Sequence, residues 1–254
     1  MISAAGQSVS MRTFFSAALL ICAASTVAAG QFETLSRSVS APAPARREVG
    51  AVLSRAALVR DIPARRFATE LGVMDTLFDH PVLTAEIVRG MGLGDFYVAG
   101  KEDGTYHVRE GRSIEATFGE ICRGKGLRLY HVEGQYYGSF FIHLSGEALL
   151  LARYRPLETR GVEVKADAAL CVDNRFYGFL VSLFAPLFQR LVDRRFSFYM
   201  DVAKRLSEAL AQDPVGVYNR LVDRGVLSAE DRELFTRLFV HSGVIDNGSN
   251  TSRR

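Results

Sequence analysis

The chain contains no tryptophan, three cysteines and seven prolines among 254 residues. So few cysteines exclude the disulfide-dense miniature scaffolds, whose small cores depend on cross-links. The net charge is only +3, and no Lys/Arg cluster is interleaved with aromatics. That rules against a nucleic-acid partner. The five histidines, His80, His107, His131, His143 and His241, form no HExxH or other tight ligand spacing, so no metal and no cofactor are expected. No Ser/His/Asp set stands in a recognisable nucleophile context. The glycines of RGMGLGD, residues 89–95, follow a predicted helix and lead into a strand, the reverse of the order a phosphate cradle needs. Hydrophobic residues make up 48% of the chain and charged residues 23%, which is the balance of a globular protein.

The amino terminus reads as an address. Met11-Arg12 opens a short basic region, and FFSAALLICAASTVAA follows. A charged start, an apolar core and small residues at the end describe a secretory signal over residues 1–29. Val27 and Ala29 take the small-residue positions before a cut at Gly30. The apolar run is short of the ~20 residues of a comfortable membrane span. Two alternatives stay open: an uncleaved anchor, and a lipoprotein through Cys22, against which the bulky Leu20-Ile21 speaks. The expected location is therefore exported and periplasmic. Residues 30–48, rich in Ser, Ala, Pro and Arg, read as a flexible linker. Residues 49–75 read as a helical extension, with Val49–Arg66 as a basic amphipathic helix.

The remainder divides into strands and helices. Asp79-His80-Pro81 is a helix-start signal, with the helix running to about Arg89. Strands are predicted at Phe96–Ala99 and Thr105–Arg109, joined by a hairpin at Asp103-Gly104. Further strands fall at Ile114–Cys122 and Leu127–Val132. A hairpin at Ser145-Gly146 would join Ser139–Leu144 to Ala148–Tyr154. Residues Val162–Val172, VEVKADAALCV, alternate with period 2, the mark of a strand with one dry face. Consecutive strands with tight turns imply an antiparallel meander.

The last strand is followed by a long apolar helix. On a helical wheel from Leu187, Phe188, Leu191, Val192, Phe198, Tyr199, Val202, Leu206 and Leu210 share one half. Asp193, Ser197, Asp201 and Glu208 take the other. Arg195 falls near the centre of the apolar half. Pro186 predicts a kink or a break. Residues 213–241 read as two short helices, the second capped by Ser228 with Asp231 three residues on. The tail from Ser242 reads as disordered. Cys122 and Cys171 lie on strands, and an exported compartment would permit a bridge. Closing a loop of about 50 residues would contribute about 4 kcal/mol in the chain-entropy model. Unpaired thiols are the alternative.

A helix before the sheet, a meander ending in VEVKADAALCV and the helix LFQRLVDRRFSFYMDVAKRLSEAL together resemble the START-like (SRPBCC) helix-grip superfamily over residues 76–212. The resemblance implies an α+β fold, an antiparallel sheet wrapped around a long C-terminal helix with an apolar cavity between them. It also implies a partner: a lipid or other hydrophobic small molecule, bound without chemistry, with transient membrane contact. A polyketide-cyclase-like enzyme using His131, His143 or a nearby carboxylate such as Glu133 is a second expectation. A protein-interaction module whose core is filled by its own aromatics is a third.

The candidate ligand-binding residues are Arg195, Tyr130, Tyr136, Phe141, Ala166, Ala168, Phe188 and Tyr199. Arg195 would anchor a carboxylate or phosphate. Alternatively it forms a structural ion pair with Glu115 or Glu133, or snorkels to water. Ala166 and Ala168 leave room either for a ligand or for close approach of the helix. The apolar run Phe176–Phe188 could pack in the core or act as a lid or membrane-docking segment.

Overall fold

The computed structural model describes residues 43–138, 143–158, 161–173 and 185–240. Its elements are α1 (Ala43–Arg55), β1 (Leu58–Phe67), α2 (Leu71–Asp79), α3 (Pro81–Gly90), β2 (Phe96–Gly100), β3 (Tyr106–Glu110), β4 (Ile114–Gly124), β5 (Leu127–Tyr137), β6 (His143–Pro156) and β7 (Val162–Val172). The helices α4 (Ala185–Gln212), α5 (Pro214–Asp223) and α6 (Ala229–Phe235) follow, and a π-helical turn spans Thr236–Val240. The seven strands form one sheet in the order β1-β7-β6-β5-β4-β3-β2. Every neighbouring pair is antiparallel. The fold is mixed α+β, with the long C-terminal helix packed against the sheet, and is compatible with a helix-grip architecture.

Strand alternation sorts the side chains into two cores. On one face, Val162, Val164 and Tyr154 meet Leu77, Ile87, Leu206 and Leu210, together with Leu221 and Phe235 of the C-terminal helices. On the other, Leu129, Leu149, Leu151, Ala169 and Cys171 meet Val49 and Val52 of α1. Sheet and helices thus form three layers, with α1 the one helix on the outer side among the described residues. Burial of these side chains contributes ~1.5–3 kcal/mol each, so α1 is held by its few apolar residues and α4 by many more. The appended α5 starts on Asp213, whose carboxylate accepts from the Gly216 amide at 2.8 Å. The expected cap of α6 is formed: Ser228 Oγ accepts from the Asp231 amide at 3.0 Å.

Three expectations are corrected. The helix expected over Val49–Arg66 ends at Arg55, and Leu58–Phe67 is an edge strand on β7. Pro63 forbids a continuous helix and lies at a register shift between Ile62 and Arg65, where an edge strand tolerates it. The linker expected to reach residue 48 is helical from Ala43. The hairpin at Ser145-Gly146 does not exist, because β6 runs unbroken through it, with Gly146 between Gly134 and Val172. Pro186 is the second residue of α4, and the apolar run from which it was expected to separate that helix lies outside the described residues. The expectations placed on residues 1–42, on 176–184, on Phe140 and Phe141, and on the tail from Ser242 lie outside the described residues.

Candidate functional site

One row across the sheet is nearly free of side-chain bulk: Ala116, Gly134 and Gly146 are neighbours on β4, β5 and β6. Ala148 lies one step along on the same face. The sheet coils so tightly here that a Cβ on Gly146 would sit 2.0 Å from the Cys171 carbonyl oxygen, and one on Gly134 2.8 Å from the Glu115 carbonyl oxygen. Only glycine fits both positions. The N-terminal half of α4 bridges this bare patch, and a cavity of about 290 Å³ remains between them. Its walls come from Ile114, Val132, Leu170 and Val172 on the sheet and Val192 and Phe196 on the helix. The volume is at the lower end of small-molecule sites, which run from ~300 to 1,000 Å³.

A polar cluster closes one end. Arg195 and Tyr199 stand one turn apart on α4 and converge on Glu110, the last residue of β3. Arg195 Nη1 donates to Glu110 Oε1 at 2.7 Å, and the Tyr199 hydroxyl donates to Glu110 Oε2. The Arg195 guanidinium also lies over the Tyr136 ring, 6.0 Å from its centroid. Burial works to lower the Arg195 pKa, but the Glu110 carboxylate, together with Tyr199 and Tyr136, outweighs it and keeps the guanidinium charged. Burial, with the bond to Glu110, pushes the Tyr199 phenol up, so it remains a neutral donor. Arg195 is therefore ion-paired, as one reading of the sequence had it, but its partner is Glu110. Glu115 points to the outer face, toward His107 at 3.5 Å.

The expected site residues separate into groups. Arg195, Tyr136 and Tyr199 line the cavity. Ala166 and Ala168 do not. They pack with Ile62, Leu150 and Phe196, so their small size serves close approach of the helix. Tyr130 is on the inner face but stands edge-on to Phe118, away from the cavity walls. Phe188 belongs to α4, and its side chain lies outside the described residues, as does Phe141. Glu110, Ala116, Gly134, Gly146 and Ala148 escaped the sequence reading. An isolated glycine inside a period-2 pattern was the available signal, since it marks a bend or close backbone approach as often as a turn.

Cys122 and Cys171 are both free thiols. They lie on β4 and β7 with β5 and β6 between them. Three strand spacings of ~4.8 Å put them ~14 Å apart, twice the reach of a disulfide. The Cys171 thiol instead donates to the Val52 carbonyl at 3.0 Å.

His131 and His143 are on the face opposite the cavity. His131 Nδ1 meets Glu48 of α1 at 2.7 Å, and Nε2 lies 3.5 Å from Glu147, which also accepts from Arg55. His143 stacks on Tyr137 with centroids 4.8 Å apart. His131 thus contacts α1, and His143 packs at the end of the β5–β6 pair on the same outer face. No group of His, Cys, Asp and Glu among the described residues is arranged to hold a metal. No helix among them is long and apolar enough to cross a membrane.

No family model matches the chain, and no curated protein matches it either.

Proposed function

We propose that this protein binds a small hydrophobic molecule, or one acyl chain of a lipid, in the cavity under α4, and carries it without chemistry. The observation that supports this is the bare row Ala116, Gly134, Gly146 across a sheet whose neighbouring rows are filled. An apolar void of this size forgoes dispersion contacts that larger side chains would have made, and burying a ligand there recovers ~25 cal/mol per Å² of apolar surface. The helix-grip architecture supports a START-like reading of the same site. The export signal read from the amino terminus extends the proposal to a periplasmic carrier that touches a membrane to load and unload. The cyclase alternative loses both histidines it relied on, since His131 and His143 face away. The interaction-module alternative needs a filled core at the place where the cavity lies.

The test is binding of N-phenyl-1-naphthylamine, a neutral fluorescent probe, to the full chain and to Ala148→Phe. Ala148 is half-buried and forms part of the cavity wall, so a phenyl group there occupies the void. The expected result is saturable binding by the natural chain, weakened by at least about tenfold in the variant, with an unchanged melting temperature. Equal binding by both would place the probe elsewhere and remove the cavity from the proposal.

A further inference from the structure

The strongest chemical constraint on the ligand is at the polar end of the cavity. Arg195 is the only cation among the described residues that line it. Its charge is already spent on Glu110, at 2.7 Å. Glu110 is itself held by a second donor, the Tyr199 hydroxyl, and its side chain is only 13% exposed against 33% for Arg195. The carboxylate is therefore the inner member of the cluster, and the groups presented toward the cavity are guanidinium N–H bonds and the two tyrosines. Glu147 also touches the cavity wall, but its carboxylate turns to Arg55 and His131 on the other face.

An anion entering here would meet a site with no net positive charge. It would lose its water and gain no uncompensated counter-charge, while Glu110 stands beside the one cation among the described lining residues. A neutral oxygen meets no such barrier. A guanidinium has five N–H donors, and the pairing with Glu110 leaves others to give. The Tyr199 oxygen, having donated its proton to Glu110, retains lone pairs for a donor from the ligand.

We infer that this cavity selects a ligand with an uncharged, hydrogen-bonding head group, a hydroxyl or carbonyl on an apolar body, and discriminates against carboxylates and phosphates. The inference rests on the proposed ligand-binding role of the cavity and narrows its ligand class. Glu110 is the specificity-determining residue: it neutralises Arg195 and so removes the anion site that the sequence alone would suggest.

The experiment is displacement of N-phenyl-1-naphthylamine by decan-1-ol and by decanoate, at about pH 8, well above the carboxylate range near 4. The natural chain is expected to bind decan-1-ol at least about tenfold more tightly, about 1.4 kcal/mol. Hydrophobicity alone favours the alcohol as well, so Glu110→Gln supplies the decisive comparison. Glutamine keeps an acceptor for Tyr199 and releases the Arg195 charge. Decanoate affinity should then rise at least about tenfold, while decan-1-ol stays within a factor of about three. The double variant Glu110→Gln/Arg195→Gln should lose that gain. Decanoate binding as tightly as decan-1-ol to the natural chain would overturn the inference while leaving the cavity as a ligand site, and that comparison needs no variant to fold. No gain for decanoate in a folded Glu110→Gln protein would overturn it too. If the natural chain binds neither alkyl probe, the proposed function fails first and the inference with it.

Discussion

At the scale of single residues, the sharpest electrostatic feature outside the cavity is Arg128 on β5. Its side chain is 2% exposed, on the inner face of the sheet. Nη1 donates to Asp79 at 2.7 Å and to Glu120 at 3.1 Å, and Nε donates to the Tyr154 hydroxyl at 3.1 Å. The Phe78 ring lies 5.5 Å from the guanidinium carbon. One cation thus ties α2 to three strands. Burial alone would raise the Asp79 pKa, but the bond and charge of Arg128, with the charge of Arg123, outweigh it and hold Asp79 below its ordinary value. A carboxylate depressed in this way stabilises the fold above its unfolded pKa of about 4, and that stability is lost as pH falls through the folded value. Arg128→Met removes the cation and leaves its carboxylates facing one another. The expected cost at neutral pH is about 3 kcal/mol, read by urea unfolding. The deficit should shrink below about pH 4, as Asp79 protonates in the natural chain too. A deficit constant over that range would mean that packing on Phe78, and not charge, is what Arg128 supplies.

Among the elements, the informative cases are the strands that escaped detection. β7 was legible because its apolar residues recur at every second position without a break, and Val162, Val164, Ala166 and Ala168 on that face are buried. The Arg195 anomaly on α4 was legible because a 3.6-residue period places every side chain once the register is set. The identity of its partner was not, because Glu110 and Arg195 are brought together only by the sheet curling under the helix. β1 was hidden by its own bulge. Ile62 faces Ala166 and Arg65 faces Val164, so the one extra residue at Pro63-Ala64 breaks the alternation that would have revealed a strand. In β6 the pair Ser145-Gly146 has turn chemistry, and nothing local distinguishes a glycine needed for a turn from one needed for close approach. That distinction is measurable. In a turn, Gly146→Ala would be nearly neutral, since the φ there is not positive. Within a coiled strand, the new methyl meets the Cys171 carbonyl. Gly146→Ala should therefore cost about 2 kcal/mol, seen as a lower urea midpoint with unchanged slope, and should weaken naphthylamine binding because the cavity floor moves. A variant as stable as the natural chain would mean that the sheet relaxes there easily.

On the scale of the whole molecule, one sheet separates two cores that differ in depth. The C-terminal half of α4 is buried among α2, α3, α5 and α6, while its N-terminal half spans the cavity. On the outer face, α1 is a single helix of 13 residues, held by Val49 and Val52 and by the Glu48–His131 and Arg55–Glu147 contacts. So few contacts give α1 a low local opening cost, because each opening exposes little apolar area. Val52 is 1% exposed, and Val52→Asp would drive a carboxylate against Leu149 and Leu151, which the short helix can avoid by undocking. Cys171 reports the event. Its thiol lies under α1 and burial raises its pKa, so it reacts slowly while the helix is seated. In Val52→Asp, thiol labelling at Cys171, mapped by peptide mass spectrometry, should accelerate at least about tenfold, with naphthylamine binding retained. The opposite faces would then open independently, and the cavity would persist without α1. Loss of naphthylamine binding in step with Cys171 labelling would instead make α1 a support of the cavity. Leu170 lines the cavity between the outward-facing Ala169 and Cys171, and β7 would be the strand that transmits the change.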